Sequence, residues 1–186
     1  MSRLSAPKPI IVGVSGASGS ILARATVEAL LLRDVPTIVV CTNAARLVWQ
    51  EELDTPFGET LSEWQEHPRF TYYPMGDMRA SIASGTFATR GMVIVPCSMN
   101  SVAAIAHGLA GNLLLRAADV CLKERRKLIL VPRETPLHAT HFGEHAFTHA
   151  RRGGDNAPGT GLLSETAGHR RYRPVRGPEG TCCAGH

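Results

Sequence analysis

The sequence predicts a doubly wound α/β fold around a mostly parallel sheet, and two patterns carry that reading. Four short apolar runs, at residues 10–14, 37–40, 92–95 and 128–131, are continuous rather than alternating, as strands buried on both faces of a parallel sheet are. Between them, Ile21, Leu22, Ala25, Leu30 and Leu31, then Ala44, Leu47 and Val48, and later Leu113, Leu114, Ala117, Val120 and Cys121 fall at helical spacing. Strand and helix therefore alternate along the chain. The less regular stretch 52–80, with Trp64, Phe70, Tyr72 and Tyr73, is expected to add a short helix and one more strand.

The totals suit one domain. At 186 residues and 44% hydrophobic content, the chain can bury a sizeable core without disulfides or metals. Its net charge of +4 is too mild to point to nucleic acid. Cys41, Cys97 and Cys121 stand alone and Cys182 adjoins Cys183, with no Cys-x-x-Cys pair; this usage suits a reducing cytoplasm. The run at 10–14 is too short for a signal sequence, and no stretch is long enough to span a membrane.

Composition changes at residue 142. From there to His186 the chain has one Val, no Ile or Met, and about half of its 18 glycines. Little apolar surface is then available to offset a backbone entropy of about 1–2 kcal/mol per residue. The expected organisation is an α/β domain at 1–141 and an irregular tail at 142–186.

Small polar residues collect where strands end. The first strand runs into Ser15-Gly16-Ala17-Ser18-Gly19 and then a helix, a place where backbone N–H groups and the helix dipole attract an anion. It lacks the Lys-Ser/Thr of a nucleoside triphosphate loop, and Thr42-Asn43 stands where a nicotinamide site would place an acid. A strand end at Pro96-Cys97-Ser98-Met99-Asn100-Ser101 and the Ser84-Gly85-Thr86 cluster before it are expected to meet the same crevice. Helix capping by Ser98 or Asn100 is the plainer alternative. Arg116, Asp119 and Lys123 share a helix face, which reads either as anion-binding or as a solvated charged face. The last strand closes on Arg133-Glu134: a planar fork for phosphate beside a proton acceptor, or a salt bridge.

Taken together, the glycine turn, Thr42-Asn43-Ala44-Ala45-Arg46, Ile82-Ala83-Ser84-Gly85, Val95-Pro96-Cys97-Ser98-Met99, the run 116–126 and Leu130-Val131-Pro132-Arg133-Glu134-Thr135-Pro136-Leu137-His138 resemble, in that order, the UbiX-type flavin prenyltransferases. The resemblance covers residues 9–141. It implies a Rossmann-like, flavodoxin-like flavoprotein and a transferase that joins a dimethylallyl group from dimethylallyl monophosphate to reduced FMN, without metal. The prenylated FMN would then serve a partner decarboxylase. Carried over by position, Gly16, Ala17, Ser18, Thr42, Ser98, Met99, Asn100, Ser101 and Arg133 would hold FMN. Arg116 and Lys123 would bind the prenyl phosphate, and Ser18, Glu52 and Glu134 would serve catalysis, with Glu134 the candidate base and Ser18 a relay. Met78 stands where the family often has a tryptophan near the prenyl chain. A homo-oligomer is implied as well, with neither nucleic acid nor membrane as partner.

Past His141 the resemblance stops. Codons permitted for residues 143–146, read one base forward, spell Glu-Asn-Met, and those for 156–165 spell Met-Pro-Pro-Val-Pro-Ala-Phe-Tyr-Gln, both family motifs. The tail thus reads as an out-of-frame translation from near codon 142. His145, His149, His169 and His186 show no metal-ligand spacing. Two alternatives follow: an FMN-binding protein with impaired catalysis, or a relative of the flavin-dependent cysteine decarboxylases, although no Pro-x-Met-Asn-like clamp is present.

Overall fold

The computed structural model describes residues 7–136, Ala139 and the pair Gly161–Leu162. The strands are β1 (Ile10–Val14), β2 (Thr37–Cys41), β3 (Phe70–Tyr72), β4 (Gly91–Cys97), β5 (Lys127–Pro132) and β6 (Gly161–Leu162). They form one sheet in the order β3-β2-β1-β4-β5-β6, and every neighbouring pair runs parallel. The helices are α1 (Ser20–Leu32), α2 (Asn43–Glu52), α3 (Phe57–Gln65), α4 (Met99–Ala106) and α5 (Leu113–Lys123). The doubly wound parallel sheet is therefore as expected, and the irregular stretch holds α3 and β3.

Side chains alternate along each strand, so the sheet carries two cores. Ile11, Ile38, Met92, Ile94, Leu128 and Leu130 face α4 and α5. Val12, Val14, Val39 and Val95 face α1, α2 and α3. On that second side Trp49, Phe57 and Trp64 meet edge to face, with centroids 5.3–6.4 Å apart. Helical spacing in the sequence identified α1 and α2 but not their buried faces. Ile21 and Leu47 are exposed while Ala23, Val27, Ala45 and Trp49 are buried.

Strand order reverses between β1 and β4, so the chain leaves these adjacent strands in opposite directions and a crevice opens at their carboxyl ends. The turns after β1, β2, β4 and β5, which carry most of the expected site residues, lie at those carboxyl ends. The boundary expected at residue 141 and the histidines of the tail fall outside the described residues, whereas Gly161–Leu162 pairs with Ile129 and Leu130 at the sheet edge.

Candidate active site

Around the crevice the chain must cap four helix starts, because the first N–H groups of a helix have no partner within it. Three of the helices are capped by their own residues. The Thr42 hydroxyl accepts from Ala45 N at 3.1 Å, the Ser98 hydroxyl from Ser101 N at 3.3 Å, and the Asn112 carbonyl from Leu115 N at 3.0 Å. Capping by Ser98 is thus realised, and it does not exclude ligand contact, since an N-capped helix still presents a positive end.

These three starts open on one cavity of about 320 Å³, lined among others by Ser15, Gly16, Thr42, Ser98, Asn100 and Ser101. A larger cavity of about 600 Å³ lies between α1 and the strands, but its lining, including Leu22, Ala29, Val95 and Val131, is mostly apolar. The smaller cavity, rich in hydroxyls and amides, is the one built for an anion. Gly16 forms part of its wall because a Cβ there would fall 2.5 Å from the Ala44 Cβ, so only glycine lets the β1 turn approach α2 this closely.

A residue absent from the expected set holds the turns together. Ser15 is 1% exposed; its hydroxyl donates to Pro96 O at 3.1 Å and accepts from Ser98 N at 2.7 Å. A hydroxyl at the end of a buried strand is the sequence signal that could have revealed it, since a buried polar group needs partners. Asn43, Ala44, Met75, Asn112 and Leu115 also line the cavity and were likewise not foreseen.

The fourth helix start differs. The amides of Gly19 and Ser20 at the head of α1, expected to receive a ligand anion, are taken by Glu52 from the far end of α2. Gly19 N lies 3.0 Å from both carboxylate oxygens and Ser20 N lies 2.7 Å from one. Burial pushes the Glu52 carboxyl up, but those amide bonds, together with the hydroxyls of Ser20 and Ser18, outweigh it and hold the group below its ordinary value. Glu52 is therefore an ionised acceptor held by two backbone amides, with the exposed Ser18 among the groups that favour its charged form. Arg133 arrives from the end of β5. Its Nε lies 3.6 Å from where a Gly19 Cβ would stand, and its amide donates to Cys97 O at 3.2 Å.

Other expected residues are placed elsewhere. The Met99 side chain is buried in the core beside α5, Ala17 donates its amide back to Ser15 O, and Glu134 is exposed beyond β5. Arg116 pairs with Asp119 at 2.8 Å and donates to Ala83 O, and Lys123 pairs with Glu124 at 3.2 Å; neither cation lines the cavity. Met78 is exposed. The Ser84-Gly85-Thr86 cluster does not meet the Ser98 loop as expected. Arg126, just past the far end of α5, donates to Gly85 O and Phe87 O and anchors the cluster there, because the cluster precedes β4 whereas the crevice follows it.

Cys41 and Cys97 are buried, and burial pushes both thiols up to about 12, so neither is a nucleophile at neutral pH. Among the described residues no group of three His, Cys, Asp or Glu is placed to hold a metal, and no helix is long and apolar enough to cross a membrane.

Comparison with known proteins places this geometry. The model of the flavoprotein family matches residues 1–151. A flavin prenyltransferase UbiX of Alkalihalophilus pseudofirmus is 43% identical over 146 residues, covering 73% of this chain and 70% of its own. The chain belongs to the UbiX-type flavin prenyltransferases of the flavoprotein family. Solved UbiX structures share the fold: AnUbiX in complex with FMN and dimethylallyl pyrophosphate is 32% identical with a TM-score of 0.73, over 84% of this chain and 76% of that one. A dodecameric FMN-dependent UbiX-like decarboxylase of Escherichia coli O157:H7 is also 32% identical, with a TM-score of 0.75 over 85% and 80%.

Proposed function

We propose that this chain is a flavin prenyltransferase that moves a dimethylallyl group from dimethylallyl monophosphate to reduced FMN and so makes prenylated FMN for a decarboxylase. The observation that supports this most is the meeting of the β1 turn and the heads of α2, α4 and α5 around one cavity of hydroxyls and amides. Such a cavity fits a flavin phosphate: donors face inward, three helix dipoles point at it, and Gly16 keeps the wall open.

In this reading Gly16, Thr42, Ser98, Asn100 and Ser101 would hold the phosphate end of FMN, with Ala17, Ser18 and Arg133 as further cofactor contacts. Reduced FMN supplies the electron-rich ring that receives the allyl carbon. Arg116 and Lys123 bind the leaving phosphate and stabilise the charge that grows on it as the carbon–oxygen bond breaks. Since neither cation lines the cavity of its own chain, a neighbouring copy brings them to it; the dodecameric relative supports assembly. The proton that the flavin ring must release would pass through the Ser18 hydroxyl, which takes it up as it hands its own to Glu52, kept ionised by the amides of Gly19 and Ser20. Glu134, exposed past β5, serves at the solvent side.

A second reading is an FMN binder with impaired turnover. It is favoured by the match to the Alkalihalophilus relative, which covers 73% of this chain, and by the out-of-frame reading of the tail. The test is anaerobic incubation with reduced FMN and either dimethylallyl monophosphate or the pyrophosphate, followed by mass analysis of the extracted flavin. A prenyl increment with the monophosphate supports the enzyme, and one with the pyrophosphate alone corrects the donor. Bound but unaltered FMN supports the impaired binder, and absence of FMN binding removes both readings.

A further inference from the structure

Ser15 follows β1 directly and lines the cavity of hydroxyls and amides, yet the residue is buried. Its side chain is turned away from the cavity and across the sheet to β4 and the turn beyond it. The hydroxyl donates to Pro96 O at 3.1 Å and accepts from Ser98 N at 2.7 Å, and the Ser15 amide also donates to Pro96 O, at 3.2 Å. A hydroxyl has a single proton to give. Pro96 O is nearer to it than the Ser98 hydroxyl, which lies 3.5 Å away, so towards Ser98 the Ser15 oxygen acts as an acceptor. Ser98, held in this way through its amide, caps α4: its hydroxyl accepts from Ser101 N at 3.3 Å and lies 3.0 Å from the Ser101 hydroxyl. That pair of hydroxyls carries two protons. One bridges the two oxygens, and the other is left to donate into the cavity.

We propose that Ser15 is a positioning residue that sets the head of α4 for the flavin phosphate and so gives the site its preference for FMN over a flavin without a phosphate. This inference rests on the reading of the cavity as the seat of that phosphate, and it names the residue that tunes it. Ser15 does not donate to the anion itself, because its proton goes to Pro96. Loss of its hydroxyl acts unequally on the two partners. Pro96 O keeps the Ser15 amide as a donor, whereas Ser98 N loses the shortest bond of the group. A part-buried N–H deprived of its acceptor turns towards another, and the Ser98 and Ser101 hydroxyls turn with it.

The experiment separates positioning from general support of the fold. FMN and riboflavin are each titrated by flavin fluorescence into the full chain as wild type, Ser15→Ala and Ser15→Cys. Cysteine is close to serine in size but its sulfur accepts weakly, so it removes the strong acceptor while filling the space, and it serves where Ser15→Ala fails to fold. FMN affinity is expected to fall about tenfold in the variants, with riboflavin affinity unchanged. In proton–nitrogen NMR the Ser98 amide proton is expected to move upfield in the same variants. An FMN preference equal to that of the wild type overturns the proposal. An equal fall for both flavins also overturns it, since that is the result of a purely structural role. A wild type that binds riboflavin as tightly as FMN removes the phosphate reading of the cavity, and the proposal falls with it.

Discussion

The heads of α1 and α4 both point into the carboxyl edge of the sheet, yet one is sealed and the other open. At α1 a carboxylate from α2 occupies the amides of Gly19 and Ser20. At α4 the chain caps itself through Ser98 and leaves Asn100 and Ser101 on a cavity wall. Two strand-to-helix turns that both carry serines thus do opposite things. An anion is attracted to both, but at α1 the protein provides its own anion, which under the proposed function leaves α4 and α2 for the ligand's. A short turn sequence therefore locates a positive end without revealing whether the fold has already neutralised it.

The comparison breaks most visibly at Gly16. In Gly16→Val the side chain must displace Ala44, and FMN affinity is expected to fall about 5- to 150-fold, as strain of roughly 1–3 kcal/mol in the cavity wall implies; flavin fluorescence titration reads it. Ser98→Ala removes the α4 cap and a cavity hydroxyl together. The expected cost is about 1 kcal/mol in urea unfolding, with weaker FMN binding as a separate loss.

At the sealed head the effect depends on pH. Glu52 titrates below its ordinary value in the folded chain, so its contribution to stability is complete above the unfolded carboxylate value. It is lost as pH falls through the lowered folded value. Wild type is therefore expected to exceed Glu52→Gln in stability near neutral pH, with the gap closing in acid, as denaturant titrations across that range would measure. The smallest effect is that of Gly19→Ala. Gly19 has φ of 113°, and its added Cβ would meet nothing nearer than 3.5 Å. Only backbone strain of about 1 kcal/mol is expected, seen as a modest drop in Tm with FMN affinity retained.

Much of this was legible in the residues. Continuous Val and Ile runs gave the buried parallel strands, and the order of motifs around Gly16, Thr42, Ser98 and Arg133 placed the crevice. What sequence order could not supply was long-range pairing. Nothing near Glu52 shows that it caps a helix that begins at residue 20, and nothing near Ser15 shows that it ties β1 to Pro96 and Ser98. Ser84-Gly85-Thr86 looked like a ligand loop because local composition does not record which end of a strand a loop adjoins. Arg116 and Lys123 looked like one anion site, yet their partners are Asp119, Ala83 and Glu124, contacts that follow from how α5 lies against the 81–83 turn.

The most direct test of the account compares FMN with riboflavin, which lacks the phosphate, in the wild type, Ser98→Ala with Ser101→Ala, and Glu52→Gln. The account predicts a strong preference for FMN in the wild type, its collapse in the double variant, and its persistence in Glu52→Gln. A preference that survives loss of both serines but vanishes with Glu52 would place the phosphate at the head of α1 and contradict the account.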